Sequence, residues 1–236
     1  MNYLAHGLAC LDDPYQLAGA AVPDWLGMTR PRLRCRSRHA TPFVSAGDES
    51  MAAVARGVVR HHADDDWFHQ TPAFGDVSLE LARRVRRATA DDDGMRPSFL
   101  GHILLELLLD ATLLADDPAC LDRYYAGLAE IDPRFVADVV GAMSGIDASP
   151  LAPLIERFCE VRFLYDYADD ERLTFRLNQV MRRVGLNELP TRFSEMLPGA
   201  RELVRIHRDG LLTPPSSHPP SDHRVLASLA SVASPL

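Results

Sequence analysis

The chain has 236 residues, of which 47% are hydrophobic and 25% are charged. This composition excludes disorder for most of the length and fits one domain, or two small ones. The net charge is −8, and all 25 basic residues are arginine. An acidic chain lacks the overall positive charge of a duplex-binding protein, local basic patches aside, so we expect no nucleic-acid partner.

Apolar residues recur with helical spacing through nearly the whole chain, and no Asn-Gly or Asp-Gly turn lies between alternating strands. Prolines stand at the edges of the periodic segments, where a missing N–H is tolerated. The pattern predicts an all-α, multi-helix globular domain over residues 1–212. The predicted helices span 2–11, 14–26, 48–70, 76–90, 97–115, 118–130, 133–143, 150–168, 170–185 and 190–210.

Three segments interrupt this helical pattern. Pro23 predicts a kink or an end in the second helix, which would expose Asp24 at a break. Residues 27–47 have no apolar period and are predicted to form a basic loop. The tail, 213–236, is rich in proline and serine and ends in a small apolar stretch that either docks as a last helix or stays loose. The arginines of the basic loop are Arg30, Arg32, Arg34, Arg36 and Arg38.

The N-terminal stretch MNYLAHGLACLDDPY has no basic flank and meets acidic residues after eleven positions. It is too short for a signal peptide or a membrane span, so we expect a cytoplasmic protein without a transmembrane segment. The four cysteines have no C-x-x-C spacing and are predicted to be reduced packing residues. They are Cys10, Cys35, Cys120 and Cys159.

The first candidate site lies in GVVRHHADDDWFH, residues 57–69. His61 and Asp65 fall on an apolar helical stripe that should face the core. A buried carboxylate needs a salt bridge, a proton or a metal ion, because burying an unpaired charge is costly. His62 and His69 flank the stripe and are candidates for further ligands or hydrogen bonds. The plainer interpretation is that residues 64–66 form a solvated acidic face.

The second candidate site lies in FLGHILLELLLDATLLA, residues 99–115, a helix that is apolar almost all round. Its polar residues His102, Glu106 and Asp110 follow one another at intervals of four and so share one face. They form either the wet edge of the helix or a ligand face. Two such helices would together supply four nitrogen and oxygen donors for a divalent ion, and the lack of thiolates disfavours structural zinc.

The segments MNYLAH, LAGAAVPDWLG, GVVRHHADDDWFH and GHILLELLLDATL occur in this order in the chain. In content, order and spacing the sequence resembles the bacterial acyl carrier protein phosphodiesterase family, clearly over residues 1–115 and more faintly over 163–183. The resemblance implies a helical core distantly related to the HD-type phosphohydrolases. It also implies a divalent ion, typically manganese, and hydrolysis of the phosphodiester that joins 4′-phosphopantetheine to a serine of acyl carrier protein.

Carried over residue by residue, the resemblance implies four metal ligands of the family's own residue type and three positions at which the residue type differs from the family's. The family's N-terminal histidine corresponds to His6, its acidic residue after G-x-x-x-x-D to Asp24, and its H-x-x-x-D helix to His61 and Asp65. Where the family pattern has aspartates, this chain has residues that still bind metals. These are His69, His102 and Glu106.

The remaining expectations concern water, substrate and ion. Asp110 or Asp66 is expected to orient the attacking water. Arg32 and Arg34 are expected to hold a phosphate or the acidic surface of a carrier protein, unless their loop is merely solvated. Manganese is the favoured ion, with iron and zinc as alternatives, and the expected partner is acyl carrier protein or a small phosphoester.

Two other classes of protein remain open from the sequence. A redox protein with a di-iron or di-manganese carboxylate site would carry Glu-x-x-His on paired helices, and no such spacing occurs in the chain. A non-enzymatic helical metal-binding module, in which the site has diverged, is the second alternative.

Overall fold

The computed structural model describes residues 1–90, 92 and 94–215. Over these ranges every regular element is an α-helix or a 3₁₀ helix, and no strand is present, which confirms the all-α prediction. Contacts divide the described chain into two compact units, 1–67 with 118–163 and 68–117 with 164–215. Most of the predicted tail lies at 216–236, outside the described residues.

The first unit holds the N-terminal helices together with three helices from the middle of the chain. The last residue of α4, Phe68, falls in the second unit. The helices of the first unit are α1 (Tyr3–Gly7), α2 (Pro14–Met28), α3 (Ser37–Ala40), α4 (Glu49–Phe68), α7 (Cys120–Ala129), α8 (Pro133–Ser144) and α9 (Leu151–Val161).

The second unit holds four α-helices, and a 3₁₀ helix precedes each of the last two. Its α-helices are α5 (Pro72–Ala88), α6 (Pro97–Asp116), α10 (Asp170–Arg183) and α11 (Leu197–Leu212). The 3₁₀ helices are Thr191–Met196 and Phe163–Ala168, of which the first residue, Phe163, falls in the first unit.

Proline and side-chain caps fix several helix starts, as the sequence predicts. Helices α5, α6 and α8 each begin at a proline. Thr71 precedes α5, and its hydroxyl oxygen accepts a hydrogen bond from the backbone N–H of Phe74 at 3.1 Å. Asp132 caps α8 in the same manner through the N–H of Arg134, at 2.9 Å. Each cap satisfies a backbone donor that the first helical turn leaves without a partner.

Two glycines let α2 and α4 approach each other closely in the first unit. A Cβ at Gly19 would overlap the carbonyl oxygen of Val54, and a Cβ at Gly57 would overlap the carbonyl oxygen of Gln16. Only glycine fits at such a backbone approach. The contact places residue 61 of α4 beside the backbone of Ala20 on α2.

Helix α6 forms the centre of the second unit, against α5 and α11. A Cβ at Gly101 would come within 2.7 Å of the backbone nitrogen of Ala82, so α5 and α6 also pack closely. By length and composition α6 could cross a membrane, but 67% of its most apolar window is buried inside the protein. The core helix of a soluble protein meets the same criteria, so one such helix is weak support for a membrane span.

The structure corrects the sequence prediction at three places. Of the two outcomes predicted at Pro23, a kink or an end, the end is wrong: helix α2 runs on to Met28, because Trp25 and Leu26 beyond the proline are fully buried and hold the last turns in the core. The segment 27–47 is not a continuous loop, since it contains α3 and the 3₁₀ helix Thr41–Phe43.

The third correction concerns the predicted helix at 150–168. It breaks at Arg162, whose φ of 49° is left-handed, and continues as a 3₁₀ helix. The cysteines agree with their prediction, because all four are free thiols and all but Cys159 are buried.

Candidate metal centre

His6, His61 and Asp65 come together in the first unit, and we call them the buried cluster. One ligand atom from each lies within 4.8 Å of the other two. His6 Nε2 is 3.3 Å from Asp65 Oδ1, and His61 Nε2 is 3.5 Å from Asp65 Oδ2. The two imidazole rings stack with their centroids 3.9 Å apart, and both histidines are buried. The cluster therefore joins α1 to α4 across 55 or more positions of sequence.

The position of the His61 ring is fixed by its backbone partner. His61 Nδ1 lies 2.8 Å from the carbonyl oxygen of Ala20, and because a carbonyl only accepts, Nδ1 must carry the proton. In the neutral ring the lone pair then belongs to Nε2, which faces Asp65. Burial, followed by the positive charge of His6, lowers the pKa of His61 and favours this neutral form. Metal-binding histidines are oriented by a second-nitrogen contact of this kind.

His6 lies between two aspartates. Its Nδ1 is 3.7 Å from Asp64 Oδ2 and its Nε2 is 3.3 Å from Asp65 Oδ1, yet neither nitrogen makes a hydrogen bond with acceptable geometry in the described residues. Burial works to lower the pKa of His6, but the contacts with Asp64 and Asp65 outweigh it and raise the pKa to about 9. Buried polar atoms are normally satisfied by a partner, and a metal ion is one partner that a ring nitrogen can take.

Asp64 is a member of this network that was not among the candidate site residues, and the alternative of a solvated face at 64–66 does not hold for it. The side chain is buried, accepts a hydrogen bond from Trp67 Nε1 at 3.2 Å and lies 3.4 Å from Arg60 Nε. Burial works to raise the pKa of Asp64, and the contact with His6 lowers it below its usual value. The sequence did contain a signal for this position of Asp64. Arg60 stands four residues before Asp64 and Trp67 three residues after it, so all three lie on the same helix face.

Asp65 already faces cations in this structure. Its Oδ1 accepts a hydrogen bond from the Met1 ammonium group at 2.6 Å. Burial acts to raise the pKa of Asp65, but contacts with His6, His61 and this ammonium hold it far below the usual range. The carboxylate therefore stays ionised, which is the state a metal ligand requires.

Asp24 is the fourth residue implied by the resemblance, and it lies within α2. The residue is half-buried, but its Oδ2 atom is buried and has no hydrogen-bond partner in the described part of the chain. Burial raises the pKa of this carboxyl, and the neighbouring imidazoles of His61 and His6 act against the rise. Asp24 is thus within electrostatic reach of the buried cluster, with an oxygen that lacks a partner.

His69, His102 and Glu106 form a second group, in the second unit, which we call the half-exposed cluster. His69 follows the end of α4, and the other two are one turn apart on α6. The side chains of His69 and His102 are 36% and 39% exposed, and that of Glu106 is 15% exposed. Burial works to raise the pKa of Glu106, but contacts with His102 and His69 help to lower it. The prediction of one site shared by the 61–65 and 102–106 segments stays a prediction, because each group lies within a single unit.

The other predicted site residues belong to neither group among the described residues. Asp110 is buried on α6, and Asp66 is exposed on α4. Arg32 and Arg34 are exposed between α2 and α3. His62 Nε2 lies 2.9 Å from the carbonyl oxygen of Cys35, so this histidine is engaged by the backbone.

Comparisons with protein families, with curated proteins and with solved structures find no match to this chain. The resemblance to acyl carrier protein phosphodiesterases therefore rests on the quoted motifs alone.

Proposed function

We propose that this protein is a metal-dependent phosphodiester hydrolase and that the buried cluster, with Asp24, holds the divalent ion. One observation carries the proposal. The family resemblance implies four ligands on three separate segments. Three of them, His6, His61 and Asp65, lie within 4.8 Å of one another, and the fourth contributes a buried oxygen without a partner.

The donor set fits a divalent ion. It combines two imidazole nitrogens with carboxylate oxygens and contains no thiolate, a mixture suited to manganese, iron or zinc. The carboxylate of Asp65 also favours a cation, because its pKa is lowered and it stays ionised. We favour manganese because the carboxylates match its preference for oxygen.

A divalent ion held there would lower the pKa of a coordinated water and polarise a phosphoryl oxygen, which is the chemistry that phosphodiester hydrolysis needs. The chain's own residues prepare the position. The carbonyl of Ala20 fixes the tautomer of His61, and the carboxylate of Asp64 holds the ring of His6 from the side opposite Asp65. Of the two acids expected to orient water, Asp66 is exposed beside Asp65 on α4, and we assign it this role in preference to buried Asp110.

Substrate binding is proposed for Arg32 and Arg34. Both side chains are exposed in the stretch between α2 and α3, in the same unit as the buried cluster. A guanidinium binds phosphate or carboxylate in a forked, charge-assisted geometry. The arginines therefore suit either a phosphoester or the acidic surface of acyl carrier protein, which we propose as the partner.

The test is turnover of holo acyl carrier protein and of an aryl phosphodiester with manganese present. We expect His61→Ala and Asp65→Asn to lose at least about 100-fold in turnover, because loss of a ligand exceeds the effect of an outer contact. The control is His62→Gln, on the same helix, which should retain activity. Unchanged turnover in His61→Ala would contradict the mechanism. Absence of turnover in the wild type would favour the non-enzymatic binding module.

A further inference from the structure

We infer that the half-exposed cluster is a metal site in its own right, which binds a divalent ion of the zinc, cobalt or ferrous iron class through two imidazoles and one carboxylate. It shares no ligand with the buried cluster, and the inference does not depend on the proposed hydrolase activity.

The distances between the three donor atoms fit one small ion. His69 Nε2 and His102 Nε2 are 3.3 Å apart, and Glu106 Oε1 lies 3.0 Å from the second and 3.6 Å from the first. Two ligand atoms that are each about 2.1 Å from a tetrahedral ion lie about 3.4 Å from one another. The three atoms thus already stand near the corners of one face of such a coordination shell.

Hydrogen bonds alone do not satisfy this arrangement. For His69 and His102 to bond to each other, one Nε2 must be a donor and the other an acceptor. His69 Nε2 lies 3.6 Å from Glu106 Oε1, which is beyond hydrogen-bond distance. Hydrogen bonds can therefore join at most two of the three pairs of atoms, whereas a single cation between them would contact all three.

The surrounding residues hold both rings in place. The Phe74 ring packs edge to face against His69, with centroids 4.7 Å apart, and against His102 at 5.1 Å. The backbone N–H of Phe74 is itself fixed by the cap at Thr71. His102 follows Gly101 on α6, at the point where α6 packs tightly against α5. Ligand positions built on packed elements are already organised for binding.

The chemistry of the donors selects the ion. Two imidazoles with one carboxylate occur in zinc hydrolases and in non-haem ferrous enzymes, whereas magnesium and calcium prefer oxygen ligands. Three protein ligands leave at least one coordination position open, and the exposure of both histidines leaves that position accessible to water or to an anionic oxygen.

The experiment is a titration of the full chain with Co²⁺ followed by visible absorption, repeated with Zn²⁺ by calorimetry. The variants are His102→Ala, Glu106→Gln and Asp65→Asn, with His207→Ala on α11 as the matched control. We expect saturable binding in the wild type and the control, and at least about a 10-fold weaker affinity in His102→Ala and Glu106→Gln. Asp65→Asn should keep this binding, even though it removes the proposed hydrolase site.

Two results would overturn the inference. One is an unchanged affinity in both His102→Ala and Glu106→Gln, and the other is loss of the cobalt spectrum in Asp65→Asn, which would place the ion in the buried cluster. Because both histidines are partly exposed, circular dichroism is expected to show the same helix content in all variants, so a lost spectrum reports on binding. Absence of hydrolysis in the wild type, with cobalt binding retained, would count against the proposed function alone.

Discussion

The two clusters use the same kinds of residue but differ in burial. In the buried cluster, both histidines are removed from water, and the ring nitrogens of His6 make no hydrogen bond in the described chain. In the half-exposed cluster, water reaches both imidazoles. The comparison shows that burial decides how a cluster of histidines and carboxylates affects the stability of the fold. Buried polar groups lower the free energy of unfolding unless they are paired, whereas exposed groups change it little until a ligand binds.

The largest expected effect is on pH-dependent stability of the metal-free protein, and it belongs to the buried cluster. The folded pKa of His6 is raised to about 9 from 6.5. Because the protonated histidine is favoured in the folded state, it contributes its full stabilisation at pH values below the pKa of the unfolded chain. That contribution disappears as the pH rises through 9. We expect urea unfolding in the presence of chelator to show a loss of up to about 3 kcal/mol between pH 6.5 and pH 9.5.

The control for this prediction is His6→Gln, which should remove most of the pH dependence in that range. An equal slope in wild type and variant would show that another group titrates instead.

The second prediction uses a change in backbone packing that should affect metal binding at the buried cluster and leave the half-exposed cluster unchanged. Gly57→Ala forces α4 away from α2, because the new Cβ overlaps the carbonyl of Gln16. We expect a loss of about 2 kcal/mol in unfolding free energy, together with weaker manganese binding and unchanged cobalt binding at the half-exposed cluster. The control is Gly75→Ala on α5, where a Cβ meets nothing within 4 Å, and which should be neutral or slightly stabilising. Equal effects of both substitutions on manganese binding would contradict the account.

The third prediction concerns the half-exposed cluster. Phe74→Leu removes the ring that packs against both imidazoles, so cobalt affinity should fall about 10-fold, as is typical when an orienting contact is lost. Phe175→Leu, at a ring that is 52% exposed on α10, is the matched control and should bind cobalt as the wild type does. An unchanged affinity in Phe74→Leu would show that the rings are held by other contacts.

The smallest expected effect concerns the exposed arginines. Replacing Arg32 and Arg34 with alanine should raise KM for acyl carrier protein about 5-fold at low salt, with kcat unchanged, and the difference should shrink at high salt. The control is Arg157→Ala, an exposed arginine of the same unit that pairs with Glu160. A change in kcat rather than in KM would show that these arginines act in the chemical step and not in substrate binding.

The fold was largely predictable from sequence because its signals are local. Apolar periodicity and the prolines at 72, 97 and 133 locate helices to within a few residues. The helix end predicted as one outcome at Pro23 is wrong, because the burial of Trp25 just beyond it outweighs the local tendency of proline to end a helix. The break at Arg162 was missed because a left-handed residue that is not glycine has no clear sequence signal.

The candidate site was only partly predictable, because its contacts are distant in sequence. The spacing of His61 and Asp65 shows that they share a helix face. Nothing in the periodicity shows that His6 stacks on His61, since this depends on how α1 packs against α4. The inward position of Asp64 has a local signal, the spacing of Arg60 and Trp67 on the same helix. Likewise the approach of His69 to His102, 33 positions later, depends on tertiary packing in the second unit.

The most direct test of the central claim is a manganese titration followed by electron paramagnetic resonance, in which bound Mn²⁺ no longer gives the signal of the free ion. The account predicts saturable binding in the wild type, an affinity at least about 10-fold weaker in Asp65→Asn, and little change in His102→Ala. Equal manganese affinity in the wild type and in Asp65→Asn would contradict the claim that the buried cluster holds the ion.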